Sequence, residues 1–327
     1  ITMPSSPLLR RVVATGAAGL AAGALSMRWR RASIAMAAGR EPVARFGIVA
    51  DVQYADVDDA YNFRRTQKRR YRGALEALRW AVEDWRKGPP LEFIADLGDI
   101  IDQQCETNGD SYRALDRVLE AWGPAPAEVV HLVGNHELYN FNRADLQKLI
   151  PNIWPWYRSF HLAPGWRILI MDAYEINVIE KDAEPTIEEG IAYLSQHNPN
   201  DLRAPRGTVD VAAGLVGIQR RFVPMGGAMR AEQLQWMRKE LTDAQQSGDK
   251  TIVLTHLPVH PQASVPAAML WNYDEFLAVL REFGQGAVPL VLAGHYHDGG
   301  YALDPDTLTH HVTVQSPLNA PVEMPTA

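Results

Sequence analysis

Six short apolar runs punctuate the chain, and each gives way to polar residues at its C-terminal end. Phe46-Gly47-Ile48-Val49-Ala50 leads into Asp51-Val52-Gln53, and Phe93-Ile94-Ala95-Asp96-Leu97 into Gly98-Asp99. Val129 to Val133 leads into Gly134-Asn135-His136-Glu137, Trp166 to Met171 into Asp172, Thr251 to Thr255 into His256, and Val288 to Ala293 into Gly294-His295-Tyr296-His297-Asp298. Runs this short and this apolar predict buried strands. Between them the period changes to that of helices. Leu75, Leu78, Val82 and Trp85 recur at helical spacing until Gly88-Pro89-Pro90 stops them, and Leu115, Val118, Leu119 and Trp122 until Gly123-Pro124. Further helices are expected around Leu234, Met237 and Leu241 and from Phe276 to Phe283. Strand and helix alternate, so the fold class is α/β with right-handed parallel crossovers, and the polar strand ends should gather at one edge.

Two regions break the pattern. Residues 174–230 hold Pro, Gly and Asn with short helical pieces, and read as a cap-like elaboration over that edge. Residues 1–44 precede the first strand, and the first 40 contain no Asp or Glu but carry Arg10, Arg11, Arg28, Arg30, Arg31 and Arg40. The apolar stretch Val12 to Leu25 is too short and too rich in Gly and Ala for a membrane span. Such a leader reads as an organellar transit peptide for a mitochondrion or plastid, with an export signal or an inert tail on a cytoplasmic protein as the other readings. The domain proper is expected over 45–327. A net charge of −7 gives no basic excess that would suggest nucleic acid. The single cysteine, Cys105, excludes an intramolecular disulfide framework and a Cys-rich zinc site. The basic stretch Arg64 to Arg72 opens a helix, where cations sit badly, and so points to an anion nearby.

The strand ends supply carboxylates (Asp51, Asp99), amides (Gln53, Asn135) and imidazoles (His136, His256, His295, His297). Oxygen and imidazole donors without thiolate suit Mn²⁺, Fe²⁺ or Zn²⁺. Two ions about 3.5–4 Å apart can hold a phosphoryl group and acidify a bridging water. One carboxylate must then touch both ions, and Asp99 is the natural candidate. Asp51, Gln53 and His297 would complete one ion, and Asn135, His256 and His295 the other. Singly, an Asp-x-Gln is usually a turn and a Gly-Asp is commonplace. All five motifs in order, each after an apolar strand, leave the structural explanation behind. His131, His161, His197, His260, His310 and His311 read as structural or surface groups.

These motifs resemble the calcineurin-like metallophosphoesterases. Within them, Asp51-Val-Gln-Tyr-Ala-Asp56, Arg69-Arg-Tyr-Arg72, Arg221-Phe-Val-Pro-Met-Gly-Gly227, Gln233-Leu-Gln-Trp236, Leu270-Trp-Asn-Tyr273 and His295-Tyr-His-Asp-Gly-Gly-Tyr301 resemble the manganese-dependent ADP-ribose/CDP-alcohol diphosphatases. The resemblance spans about residues 45–315. It implies a two-sheet sandwich flanked by helices (αββα) and two divalent metal ions, Mn²⁺ first, with Mg²⁺, Fe²⁺ or Zn²⁺ as alternatives. Gln53 stands where most of the superfamily has histidine, as is typical of this branch. Phosphoprotein phosphatases of this fold continue with Arg-Gly after Gly-Asp-x-x-Asp, whereas Asp102 here is followed by Gln103-Gln104. Family members also continue past the last histidine motif into one or two further strands. This chain runs through Pro317 to Pro325 and stops at Ala327, so a truncated C terminus or an absent sheet edge is expected.

The implied activity is hydrolysis of a phosphoanhydride in small nucleoside diphosphates, by a monomer without nucleic-acid partners or stable membrane insertion. Asn135 takes the ligand position, which leaves His136 to bind substrate and to protonate the leaving phosphate or stabilise the transition state. Asp102 and Asp298 would orient ligand histidines. Phe63 offers a flat face for a base and Arg69 a fork for the distal phosphate. The alternatives are a cyclic nucleotide phosphodiesterase of the same fold and a catalytically silent scaffold.

Overall fold

The structure, a computed structural model, describes residues 41–62, 65–204 and 207–320. Nearly all of the leader, and Phe63, lie outside the described residues. Among these residues the chain runs through β1 (Phe46–Val49), a hairpin of β2 (Ala60–Tyr61) and β3 (Lys68–Arg69), α1 (Tyr71–Lys87), β4 (Phe93–Asp96), α2 (Gln104–Thr107), α3 (Ser111–Trp122) and β5 (Val129–His131). It continues through α4 (Asn135–Asn140), α5 (Arg143–Leu149), β6 (Arg158–Ala163), β7 (Trp166–Ile170), α6 (Glu184–Leu194), α7 (Ala231–Ser247) and β8 (Lys250–Leu254). The last elements are α8 (Tyr273–Phe283), β9 (Leu290–Ala293), β10 (Gly300–Leu303) and β11 (His310–Thr313).

Two sheets result. One is parallel, in the order β1-β4-β5. The other runs β10-β11-β9-β8-β7-β6, with four parallel strands in the middle and an antiparallel strand at each edge. Side chains alternate between two apolar environments, which is why these strands read as continuous apolar runs. Phe93, Ala95 and Leu97 meet Ile168, Ile170, Ile252, Leu254 and Leu292 in one cluster, the layer between the sheets. The intervening Ile94, Leu169, Val253 and Val291 belong to a second cluster built with α1, α3, α7 and α8. Each fully buried Ile or Leu in these layers is worth about 1.5–3 kcal/mol against exposure. The chain is therefore the expected αββα sandwich.

The expectation of an absent sheet edge is corrected: β10 and β11 follow His297 and lie at one side of the second sheet. They escape an apolar scan because they are short and mixed, Gly-Tyr-Ala-Leu and His-His-Val-Thr. β6 escapes it as an edge strand of mixed polarity in which only Leu162 is buried. Among the described residues, no helix is long and apolar enough to cross a membrane.

Candidate metal centre

The C-terminal ends of both sheets meet in one place. Backbone bonds stitch the loops beyond β1 and β4 together: Asp51 N–H donates to Gly98 O (2.9 Å) and Gln53 N–H to Asp99 O (2.8 Å). Across the sandwich, His295 N–H donates to both oxygens of the Asp51 carboxylate (3.0 and 2.9 Å). His256 Nδ1–H donates to Leu97 O (2.7 Å), which leaves its Nε2 to face Asp99 Oδ2 (3.4 Å), Asn135 Oδ1 (3.3 Å) and His295 Nδ1 (3.2 Å). Gln53 Nε2 lies 3.0 Å from Asp99 Oδ2 and 2.9 Å from His297 Nε2, and His297 Nε2 lies 3.5 Å from Asp51 Oδ1. Two groups emerge, Asp99-His256-His295 and Asp51-Asp99-His297, each with its donor atoms within 4.8 Å of one another. Asp99 belongs to both.

The loops reach this geometry at a conformational cost. Asp51, Gln53, Asp99 and His295 all adopt positive φ (56°, 42°, 62° and 65°), a region that side chains with a Cβ avoid. Such strain persists where the surroundings over-determine it, typically at functional sites. Glycine is required beside the donors. A Cβ on Gly134 would sit 2.2 Å from Asp99 Oδ1, and one on Gly294 2.8 Å from Asp51 Oδ2.

The charged groups of the cluster act strongly on one another. Burial opposes ionisation of Asp99, yet the imidazoles of His256, His136 and His295 hold its carboxyl well below the usual range. Burial likewise opposes charge on His256, but Asp99 and Asp51 outweigh it and lift the imidazole to about 10. His295 is driven the other way, well below its ordinary value, by burial and by His256. The carboxylates thus draw charge onto one imidazole, and that imidazole in turn keeps its neighbour neutral. Gln53 Oε1 is buried without a protein partner among the described residues, a free lone pair inside the cluster. The donors, oxygen and imidazole with no sulfur, fit divalent ions such as Mn²⁺.

A model of the calcineurin-like phosphoesterase family matches residues 44–299. The chain belongs to the calcineurin-like phosphoesterases. Over 300 residues it is 36% identical to a manganese-dependent ADP-ribose/CDP-alcohol diphosphatase of Danio rerio, covering 86% of this chain and 89% of that protein. The Homo sapiens protein of the same name is 33% identical over 296 residues, covering 84% and 83%. A crystal structure of a dimetal phosphatase from Danio rerio superposes with a TM-score of 0.77 at 36% identity, covering 86% of this chain and 90% of that one.

In this phosphoesterase His136 stands apart from both donor groups. Its backbone N–H donates to Asp99 Oδ1 (2.9 Å), and its Nδ1 accepts from the Gln103 N–H (2.8 Å). The neutral ring therefore carries its proton on Nε2. Burial keeps the imidazole below its ordinary pKa. Asp102 and Asp298 do not orient donor histidines, a correction. Asp102 Oδ2 lies 3.7 Å from His136 Nδ1, beyond hydrogen-bond range, and 3.6 Å from Arg69 Nη1. The turn from Tyr296 to Gly299 carries Asp298 outward, where its exposed carboxylate accepts from Gln67 in the β2–β3 hairpin. The basic stretch is also largely spent within the protein. Arg72 pairs with Asp56 and Asp58, and Arg70 donates to the Asn319 carbonyl, while Arg69 approaches Asp102 beside His136.

Sequence reasoning overlooked Tyr174, whose hydroxyl lies 3.2 Å from Asn135 Oδ1. The available signal was the end of β7, a sixth strand pointing at the same edge. Glu137 is structural. Its carboxylate accepts from the backbone N–H groups of Asp99 (2.8 Å), Ile100 (2.6 Å) and Gly134 (2.7 Å), tying the two donor loops together. Burial and the charge of Asp99 push it up to about 8, against the pull of the Ile100 and Asp99 amides. In Glu137→Gln the side-chain NH₂ would confront these donors. A loss of about 1–3 kcal/mol is expected for each N–H left without an acceptor. Denaturant melts of the metal-free protein check this, and an unchanged midpoint would remove Glu137 from the organisation of the loops.

Proposed function

We propose that this protein is a hydrolase of the phosphoanhydride in ADP-ribose and CDP-alcohols, using two Mn²⁺ ions. The observation that carries the reading is Asp99, shared by two donor groups in a chain collinear with relatives named for that activity. Asp51, Gln53 and His297 would hold one ion, Asn135, His256 and His295 the other, and Asp99 both. When bound, such ions neutralise phosphoryl oxygens and acidify water.

The chain's own groups supply the rest. His136, with its proton on Nε2, donates to the phosphoryl oxygen or the leaving phosphate as charge builds there. Gln103 N–H fixes that tautomer from behind. Arg69 presents its fork to the distal phosphate, and Asp102 holds it at the edge of the centre. Phe63 is assigned to the face of the base. The protein acts as a monomer on small molecules, with no nucleic-acid partner.

A substrate panel tests the reading. Purified protein with Mn²⁺ is expected to convert ADP-ribose to AMP and ribose 5-phosphate, and CDP-choline to CMP and phosphocholine. Mg²⁺ is run as a separate arm. Turnover confined to cyclic nucleotides or a phosphopeptide would replace the proposal with the phosphodiesterase or phosphatase reading. No turnover of any member would leave a scaffold.

A further inference from the structure

We propose that Tyr174 is a positioning residue whose hydroxyl holds the Asn135 carbonyl oxygen toward the ion shared with His256 and His295. The proposal rests on the two-ion reading above. Asn135 Oδ1 has two lone pairs. The Tyr174 hydroxyl lies 3.2 Å from this oxygen and His256 Nε2 lies 3.3 Å from it. One lone pair can thus take the phenolic proton while the other faces the donor cluster.

Tyr174 has little freedom to do otherwise. It is fully buried. Its N–H donates to Asp172 Oδ1 (2.9 Å), and its carbonyl accepts from Asn177 Nδ2 (2.8 Å) and Arg143 Nη2 (2.9 Å). Its ring lies against that of His256, with centroids 5.9 Å apart. A Cβ on Gly227 would come within 2.8 Å of the ring, so that residue of the loop from Phe222 to Gly227 packs directly against it. The hydroxyl also lies 3.3 Å from the Met225 carbonyl of that loop. A single side chain therefore connects the segment beyond α6 to an amide of the centre. Outer groups of this kind orient donors, and their removal typically costs about 10–100-fold in metal affinity.

The test is Mn²⁺ titration of metal-free wild type and Tyr174→Phe by calorimetry, with the free ion counted by electron paramagnetic resonance. The phenylalanine ring preserves the packing, so the variant keeps the fold. Wild type is expected to bind two ions. The variant is expected to bind one of them about tenfold or more weakly and the other unchanged. In an Asn135→Ala background the same substitution is expected to add nothing, because the residue acts through that amide. A tyrosine that merely fills space would leave both affinities alone in Tyr174→Phe, which would overturn the proposal. So would additive losses in the double variant. A wild-type protein that binds no Mn²⁺ would instead overturn the two-ion reading and take this inference with it.

Discussion

Asp99→Ala is expected to abolish turnover and to leave the purified protein without bound manganese. Asp99 belongs to both donor groups, so one substitution breaks two sites. It also breaks the scaffold around them, since Asp99 Oδ1 accepts from the His136 N–H and Oδ2 from Gln53 Nε2. Removing one preorganised electrostatic group commonly costs about 10²–10³ in rate, and a carboxylate shared by two ions should reach or exceed that range. Elemental analysis run beside the substrate assay decides the matter. Stoichiometric manganese in the variant would sink the shared-ligand assignment, even if activity were lost.

His136→Ala is expected to separate what Asp99→Ala joins. Metal content should stay at the wild-type level while turnover falls about 10²–10⁴-fold. The contact that ties this residue to the centre is its backbone N–H on Asp99 Oδ1, which alanine retains. What alanine lacks is the ring, with Nδ1 fixed by Gln103 and Nε2 left to donate. The substitution also leaves the Gln103 N–H without its acceptor, so about 1–3 kcal/mol of stability should be lost, and turnover is compared well below the melting transition. Full activity in this variant would end the proposed role.

The strands that carry the centre were legible because both their faces are buried. An apolar run that stops at Asp51, Asp99, Asn135, His256 or His295 needs no three-dimensional information to be noticed. The grouping of donors followed from counting which carboxylate could be shared. Other features were not legible, each for a local reason. Asp51 and Gln53 adopt positive φ without being glycine, and no residue pattern announces that. Asp298 follows a histidine motif yet points outward, because a turn of the chain reverses its direction. Asp102 has the expected spacing but sits beside Arg69, a partner supplied by a two-residue strand too short for periodicity to reveal. Tyr174 lay in a region read as irregular, although it follows β7 as closely as the other donors follow their strands. β6, β10 and β11 are edge or near-edge strands of mixed polarity, which an apolar scan passes over.

The contact between Asp51 and His295 spans 244 residues. Each donor group takes carboxylates from the first sheet and imidazole from the second. A ribosome adding about 5–20 residues per second would release Asp51 roughly 10–50 s before His295. Until His295 and His297 have been added, neither donor group is complete. A complete set of donors for either ion thus exists only after the second sheet has been synthesised.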